Sequence, residues 1–333
     1  MANLGKVGLI ENGGGFSAAF SVGSTKAIYK CGIQPQVIQG VSAGALTATK
    51  IVEGGIEEAE KVWLEIERQG PKTIFNWWDL LTSVKNLVIH KIPIQSFFRN
   101  EGLKRLIDSA DMEKVVQAKE LFQIVTRNES RGWIPHIFTN HEERFLQNPK
   151  LFRKPILATT ALQGAFDSVE IDSEMHSDGI FYNLRAVIEE GCDTVFILLN
   201  DQSDENQNRF DQRLSKAKHA LYEEAMALRL EKILEKYPDY DVISDHESEE
   251  EAPSLIKAFK RAAKNAKSVM SSVAKGDDIG NLLVPHRIIV IIPRKPISTL
   301  HTFGFERGDI KAAIEQGEDQ AKLLIKKVLK MSY

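Results

Sequence analysis

Gly40-Val41-Ser42-Ala43-Gly44 sets one serine among small residues in the G-x-S-x-G spacing that suits a nucleophile. A serine on a sharp strand-to-helix turn stands clear of the sheet, and Gly40 and Gly44 let strand and helix pass closely. The helix that opens at Ala43 adds an N-terminal field favouring negative charge beside Ser42. Upstream, Gly13-Gly14-Gly15 follows a short apolar run. Three consecutive glycines leave backbone N–H groups bare, as an oxyanion site requires, and one such donor is worth roughly 3 kcal/mol of transition-state stabilisation. The alternatives are a helix-capping role for Ser42 and a flexible turn for the glycines.

Gly13-x-Gly15-x-x-Ala18 also fits a dinucleotide fingerprint, which needs an acidic residue about 20 positions on to hold a ribose. From Asn12 to Val52 there is no Asp or Glu, and the serine motif stands in that place. Acyl chemistry is the better reading. The serine then needs a base. A Ser-Asp-His order would draw on His219, His246, His286 or His301, all late enough in the chain, none in a telling context. Such hydrolases usually place more of their sheet before the serine than the two strands expected here.

The elements that must hold these loops follow from the pattern of apolar residues. Val7 to Ile10 reads as a buried strand, Phe16 to Lys30 as a helix, Gln36 to Gln39 as a second strand, and Ala43 to Lys50 as a second helix. This alternation favours a parallel sheet with crossover helices. Both loops then open at one carboxyl edge, where ligands of such sheets bind. Ile56, Ala59, Val62, Trp63 and Ile66 recur at helical spacing up to Gly70-Pro71. Leu121 to Val125, Pro155 to Ala158, Thr194 to Leu199 and Arg287 to Ile292 read as β-rich runs, the first of the last pair and its partner as interior strands. Gln212 to Tyr237 reads as an amphipathic helix, and the acidic Asp241 to Glu251 as a solvated loop.

Three stretches stand in order along the chain: Gly13-Gly14-Gly15, Gly40-Val41-Ser42-Ala43-Gly44, and Asp178-Gly179 within Ser177-Asp178-Gly179-Ile180. In that combination the chain resembles the patatin-like phospholipase family, marked by a glycine-rich loop, an early G-x-S-x-G and a late Asp-Gly. Ala158 to Phe166 looks like the family's small-residue helix, Gly191 to Ile197 like the strand that follows, and Arg287 to Leu324 like its C-terminal strand and helix. The resemblance implies a three-layer α/β fold with a mostly parallel central sheet, helices on both faces and helical insertions. It implies one domain over 1–333, with a core near 5–200 and 285–325 and an insertion near 205–284. Ser42 and Asp178 would form a catalytic dyad, Gly13, Gly14, Gly15 and Ala43 the oxyanion hole, and Gly40 and Gly44 the elbow. Neither metal nor organic cofactor is needed. The chain departs from the family at Ser17 and Ala18, where a basic residue and a glycine are usual, at Ile180, where a small residue is, and at Gln163, where proline is frequent.

A chain of 333 residues with 43% hydrophobic and 27% charged residues has material for a substantial core, which excludes wholesale disorder. The net charge of −3 gives no reason to expect a nucleic-acid partner, and two distant cysteines exclude a disulfide framework. The start carries no basic stretch, and its first apolar run ends at Ile10, so the expected location is the cytoplasm. The expected partner is a lipid ester, with transient membrane-surface contact through Ile74-Phe75-Asn76-Trp77-Trp78 or the basic stretch Lys257 to Lys267. Two classes of function stay open: a serine hydrolase of lipid esters, and a degenerate module that binds lipid or protein without turnover.

Overall fold

The computed structural model describes residues 3–75, 79, 82, 85, 96–200, 229–230, 232–237, 239–244, 256–257, 259–261, 263–264, 286–294 and 304–330. Its strands are β1 Val7–Glu11, β2 Val37–Gly40, β3 Leu121–Asn128, β4 Ile134–Thr139, β5 Val169–Ile171, β6 Glu174–Asp178, β7 Thr194–Leu198, β8 Asp241–Ser244 and β9 Arg287–Ile291. They form one mixed sheet in the order β5-β6-β3-β2-β1-β7-β9-β8, with β4 paired to β3. From β3 to β8 every neighbouring pair is parallel. β1, β2, β7 and β9 are buried along their whole length, as continuous apolar runs in a parallel sheet should be.

The helices are α1 Ala19–Lys30, α2 Ala43–Gly54, α3 Ile56–Gln69, α4 Glu101–Asp108, α5 Met112–Val116, α6 Glu143–Gln147, α7 Arg153–Thr160, α8 Leu184–Glu189 and α9 Asp309–Lys330. Successive residues of a strand face opposite sides, so Leu9 joins a core with α1, α2, α3 and α9 while Ile10 joins another with α8, Leu230 and Phe259. The result is the expected three-layer arrangement. The chain leaves β1 for β2 on one side and reaches β7 on the other, so strand order reverses at the carboxyl end of β1. A crevice opens at such a point, and Gly13 to Gly15 sit in it.

Several local expectations change. Pro155 to Ala158 lies inside α7 and is no strand, because Pro155 falls in the first turn, where a missing N–H breaks no helical bond. α7 stops at Thr160, so Ala161 to Phe166 continues as turns rather than helix. The first four residues of the expected acidic loop form β8 beside β9, and the rest of that loop lies outside the described residues. Of the expected helix Gln212 to Tyr237, residues 229–230 and 232–236 are helical and 201–228 lie outside the described residues. The antiparallel strands β4 and β5 are additions to the expected elements, and β6 is the strand that ends in Asp178. β4 carries Pro135 and is largely exposed or half-buried, so its pattern resembles a loop.

Candidate active site

Val125 of β3 is where the two candidate residues meet. β4 covers Gln123 to Asn128 along one edge of β3, and the opposite edge is shared by β2, at Leu121 to Ile124, and β6, at Thr126 to Asn128. β2 is parallel to β3 and β6 antiparallel, so their carboxyl ends converge from opposite directions. Gly40 pairs with Ile124 and Asp178 with Thr126. Only Val125 separates them. Ser42 and Asp178, 136 positions apart in the chain, are thereby brought near enough for the Ser42 hydroxyl to favour the ionised Asp178 carboxyl.

Ser42 sits at φ 53° and ψ −131°, a strained backbone for a residue with a Cβ. Its side chain makes no cap bond to the helix, which removes the capping alternative. The flanking glycines are required sterically. A Cβ on Gly40 would stand 2.6 Å from Ala45 Cα, and one on Gly44 would overlap the Glu11 carbonyl. The Ser42 N–H donates to Thr159 Oγ1 (3.0 Å), and the Thr159 hydroxyl donates to the Val125 carbonyl (2.6 Å). The end of α7 thus fixes the serine turn to the strand between its two partners.

Asp178 is 2% exposed. Burial pushes its carboxyl up from 3.8 to about 6, while the Ser42 hydroxyl, the Ile180 N–H and the Arg127 charge act in the opposite direction. The Ile180 N–H reaches Asp178 Oδ1 at 2.7 Å, and Arg127 Nε donates to the Asp178 carbonyl oxygen at 2.9 Å. Ile180 has φ 58°, costly for a β-branched residue, so the departure from a small residue there is accommodated by backbone strain. Gly179 is required because a Cβ would overlap the Val125 carbonyl.

Gly13, Gly14 and Gly15 lie half-exposed beside the serine. A Cβ on Gly13 would stand 2.9 Å from Ser42 Cβ, and Gly14 and Gly15 have φ 134° and 57°. Among the described residues, the N–H groups of Gly13, Gly14, Gly15 and Ala43 donate to no protein acceptor. Asn200, just past β7, braces the loop by donating from Nδ2 to the carbonyls of Asn12 (2.8 Å) and Gly13 (3.2 Å). Below the loop, Glu11 accepts from Thr25 and is pushed up to about 7 by full burial. Ser17 is half-exposed and Ala18 fully buried, in the 3-10 turn Gly15–Ala18 that follows the glycines.

A cavity of about 70 Å³ opens at Gly15, Ser42 and Ala43. Its walls are apolar: Phe16, Leu46, Trp63, Ile74, Phe75 and Phe166 are among them. Ile74 and Phe75 of the expected membrane-facing stretch thus point inward, with Phe75 against Phe16 and Phe98. Asn76, Trp77 and Trp78 lie outside the described residues. Of the basic stretch, Lys257, Lys260, Arg261 and Lys264 are described and half-buried or exposed, and Lys267 is not described.

His286 cannot serve as the base. It precedes β9 at the amino edge of the sheet, stacked on Tyr240, with Nδ1 2.5 Å from Asp239. His219, His246 and His301 lie outside the described residues. His176, two positions before Asp178, bonds Thr126 instead of the serine. Among the described residues, no three His, Cys, Asp or Glu side chains converge as a metal would require, and no helix is long and apolar enough to cross a membrane. Thr159, Arg127 and Asn200 escaped the sequence reading because their roles arise only from tertiary position. Thr159-Thr160 at the end of an apolar helix is the one local signal.

Among solved structures, VipD from Legionella pneumophila is similar to the chain with 13% identity and a TM-score of 0.43, covering 97% of this chain and 67% of that one. A likeness that loose transfers nothing to this site. No curated protein matches the chain. The model of the family described as patatin-like phospholipase matches residues 9–187, just over half the chain and both converging loops. By that match, the chain belongs to the patatin-like phospholipase family, a family of lipid acyl hydrolases.

Proposed function

We propose that this protein is a serine acyl hydrolase that cleaves ester-linked fatty acids from phospholipids or related lipids, with Ser42 as nucleophile and Asp178 as its base. The observation that carries the reading is the convergence of the serine turn and the strand end of the buried Asp178 on either side of Val125, with Ser42 at an apolar cavity. A carboxyl titrating near 6 is ionised at pH 7, yet basic enough to take a proton in the transition state.

Ser42 Oγ attacks the ester carbonyl while Asp178 accepts its proton. The N–H groups of Gly14 and Gly15, with Gly13 or Ala43, receive the developing oxyanion. The alcohol leaves with the proton from Asp178. Water, deprotonated by the same carboxylate, then attacks the acyl-serine ester, and Asp178 returns that proton to Ser42 Oγ as the fatty acid is released. Asn200 and Thr159 hold the two loops still, so donors and nucleophile are placed before substrate arrives.

Hydrolysis of a chromogenic butanoyl ester and of phosphatidylcholine vesicles tests this reading. Ser42→Ala should lower both rates at least about a thousandfold in a folded protein. Substantial activity in that variant would refute the nucleophile, and a wild type that binds vesicles without turnover would replace the reading with the degenerate module.

A further inference from the structure

A second cavity, about 280 Å³, lies on the other face of the sheet. Its walls include Tyr182, Leu184 and Leu230 of the core that Ile10 joins, whereas Phe16, Trp63 and Phe75 around the serine cavity belong to the core of Leu9. One wall is the segment Phe181 to Arg185, which follows the Asp178 loop, and the other carries Arg229, Lys232 and Ile233. Three cations line this cavity, Arg185, Arg229 and Lys232, all exposed, and among the described residues no carboxylate does. Arg185 is already neutralised, its Nε 2.7 Å from Glu189 Oε1. Arg229 and Lys232 have no carboxylate partner among the described residues. The Arg229 guanidinium instead rests 4.4 Å over the ring of Phe181, which holds its planar fork of donors against the cavity wall. Arg229 and Lys232 are three positions apart on a helix, so they share a face, with Cβ atoms about 5–6 Å apart.

We infer that this cavity is a binding site for an organic phosphate, with a phosphomonoester head between Arg229 and Lys232 and a short apolar body against Pro135, Phe181 and Ile233. The two unpaired cations sum to +2, and a phosphomonoester carries about −1.5 to −2 at pH 7, whereas a carboxylate would answer only one of them. A guanidinium binds two phosphate oxygens side by side, and an ammonium adds a point charge. The cavity is nearly twice the roughly 150 Å³ that takes a benzene ring, so an alkyl body of about eight carbons fits. Inorganic phosphate would satisfy the cations and leave the apolar wall in water. The inference does not depend on the hydrolase reading, since no wall residue of this cavity belongs to the proposed catalytic machinery.

Octyl phosphate, kept below its micelle-forming concentration, is titrated calorimetrically at pH 7 into wild type, Arg229→Ala, Lys232→Ala and Lys236→Ala. Wild type should bind one equivalent, at least about a hundredfold more tightly than inorganic phosphate, because each methylene removed from water adds to affinity. Arg229→Ala and Lys232→Ala should each weaken octyl phosphate at least about tenfold, the loss expected for one charge-assisted contact. Both side chains are exposed, so the variants should fold, and Lys232→Glu, a charge reversal at the same exposed position, should weaken binding further. Lys236 lies on the same helix, 3.3 Å from Glu189 and outside the cavity wall, so Lys236→Ala should bind as wild type does. No binding by wild type, equal affinity for octanol or inorganic phosphate, or undiminished binding in Arg229→Ala and Lys232→Ala overturns the inference. An equal loss in Lys236→Ala also overturns it, since the effect would then be general charge and not a site. Sedimentation with phosphatidylcholine vesicles, with and without phosphatidate, tests a membrane source. If phosphatidate vesicles bind through Arg229 and Lys232 while octyl phosphate does not, this face is a membrane contact and the cavity site fails.

Discussion

At Asp178, the proposed base, burial also weakens the fold. A carboxyl raised from 3.8 to about 6 binds more protons folded than unfolded across that window, so its contribution to stability falls as pH rises from about 4 to 6 and remains as a penalty above. Asp178→Asn keeps the shape without the charge. At pH 7 it should unfold at higher temperature, by up to roughly 3 kcal/mol, with the gain fading below pH 4, as calorimetry across pH would read. The same variant should lose ester hydrolysis. In the wild type, kcat/KM should rise with pH on an apparent pKa near 6, because only the ionised carboxyl takes the serine proton. A flat profile between pH 5 and 7 would point to another base. Ser42 was readable from sequence because its constraint is local, two glycines and a helix start. Asp178 was readable only from its order after the other two loops, since an Asp-Gly turn carries no mark of the strand end it occupies.

Among the elements, β3 is the organiser, and little in its sequence announces this. Its pairing with β2 follows from a βαβ pattern that any parallel sheet leaves in a chain, but its pairing with β6 rests on short strands with weak alternation. α7 shows the same limit: Pro155 to Ala158 reads as a β-rich run, yet it lies in a helix that begins at Arg153. Thr159 on that helix joins the serine turn to Val125 through one hydroxyl. Thr159→Val keeps the volume and leaves the Ser42 N–H and the Val125 carbonyl without that partner. Stability to urea should fall by roughly 1–2 kcal/mol. Turnover should drop about tenfold with KM little changed, and Thr159→Ser should restore most of both, since a misplaced nucleophile costs rate more than binding. Equal kcat in wild type and Thr159→Val would mean the turn holds its shape without the bridge.

Across the whole molecule, the site depends on helices that never touch it. α1 follows the glycine loop through the 3-10 turn Gly15–Ala18, and α9 packs on it so closely that a Cβ on Gly23 would overlap the Ile314 carbonyl and one on Gly317 the Phe20 carbonyl. That crossing fastens the chain's last described helix to the helix that follows the glycine loop. Gly23→Ala should cost roughly 1–3 kcal/mol through overpacking, lowering the urea midpoint without changing its slope. The three-layer plan was legible because strands buried on both faces read as unbroken apolar runs. The α1–α9 approach was not, since a glycine inside a helix looks the same whether or not a backbone lies against it. The account as a whole stands on one pairing at the carboxyl edge of this sheet, and one measurement addresses it directly. A fluorophosphonate ester is incubated with wild type, Ser42→Ala and Asp178→Asn at pH 7, and the modified peptide is located by mass spectrometry. The account predicts a single adduct on Ser42, absent in Ser42→Ala and formed at least about a hundredfold more slowly in Asp178→Asn. An adduct on another residue, or equal labelling of wild type and Asp178→Asn, would contradict it.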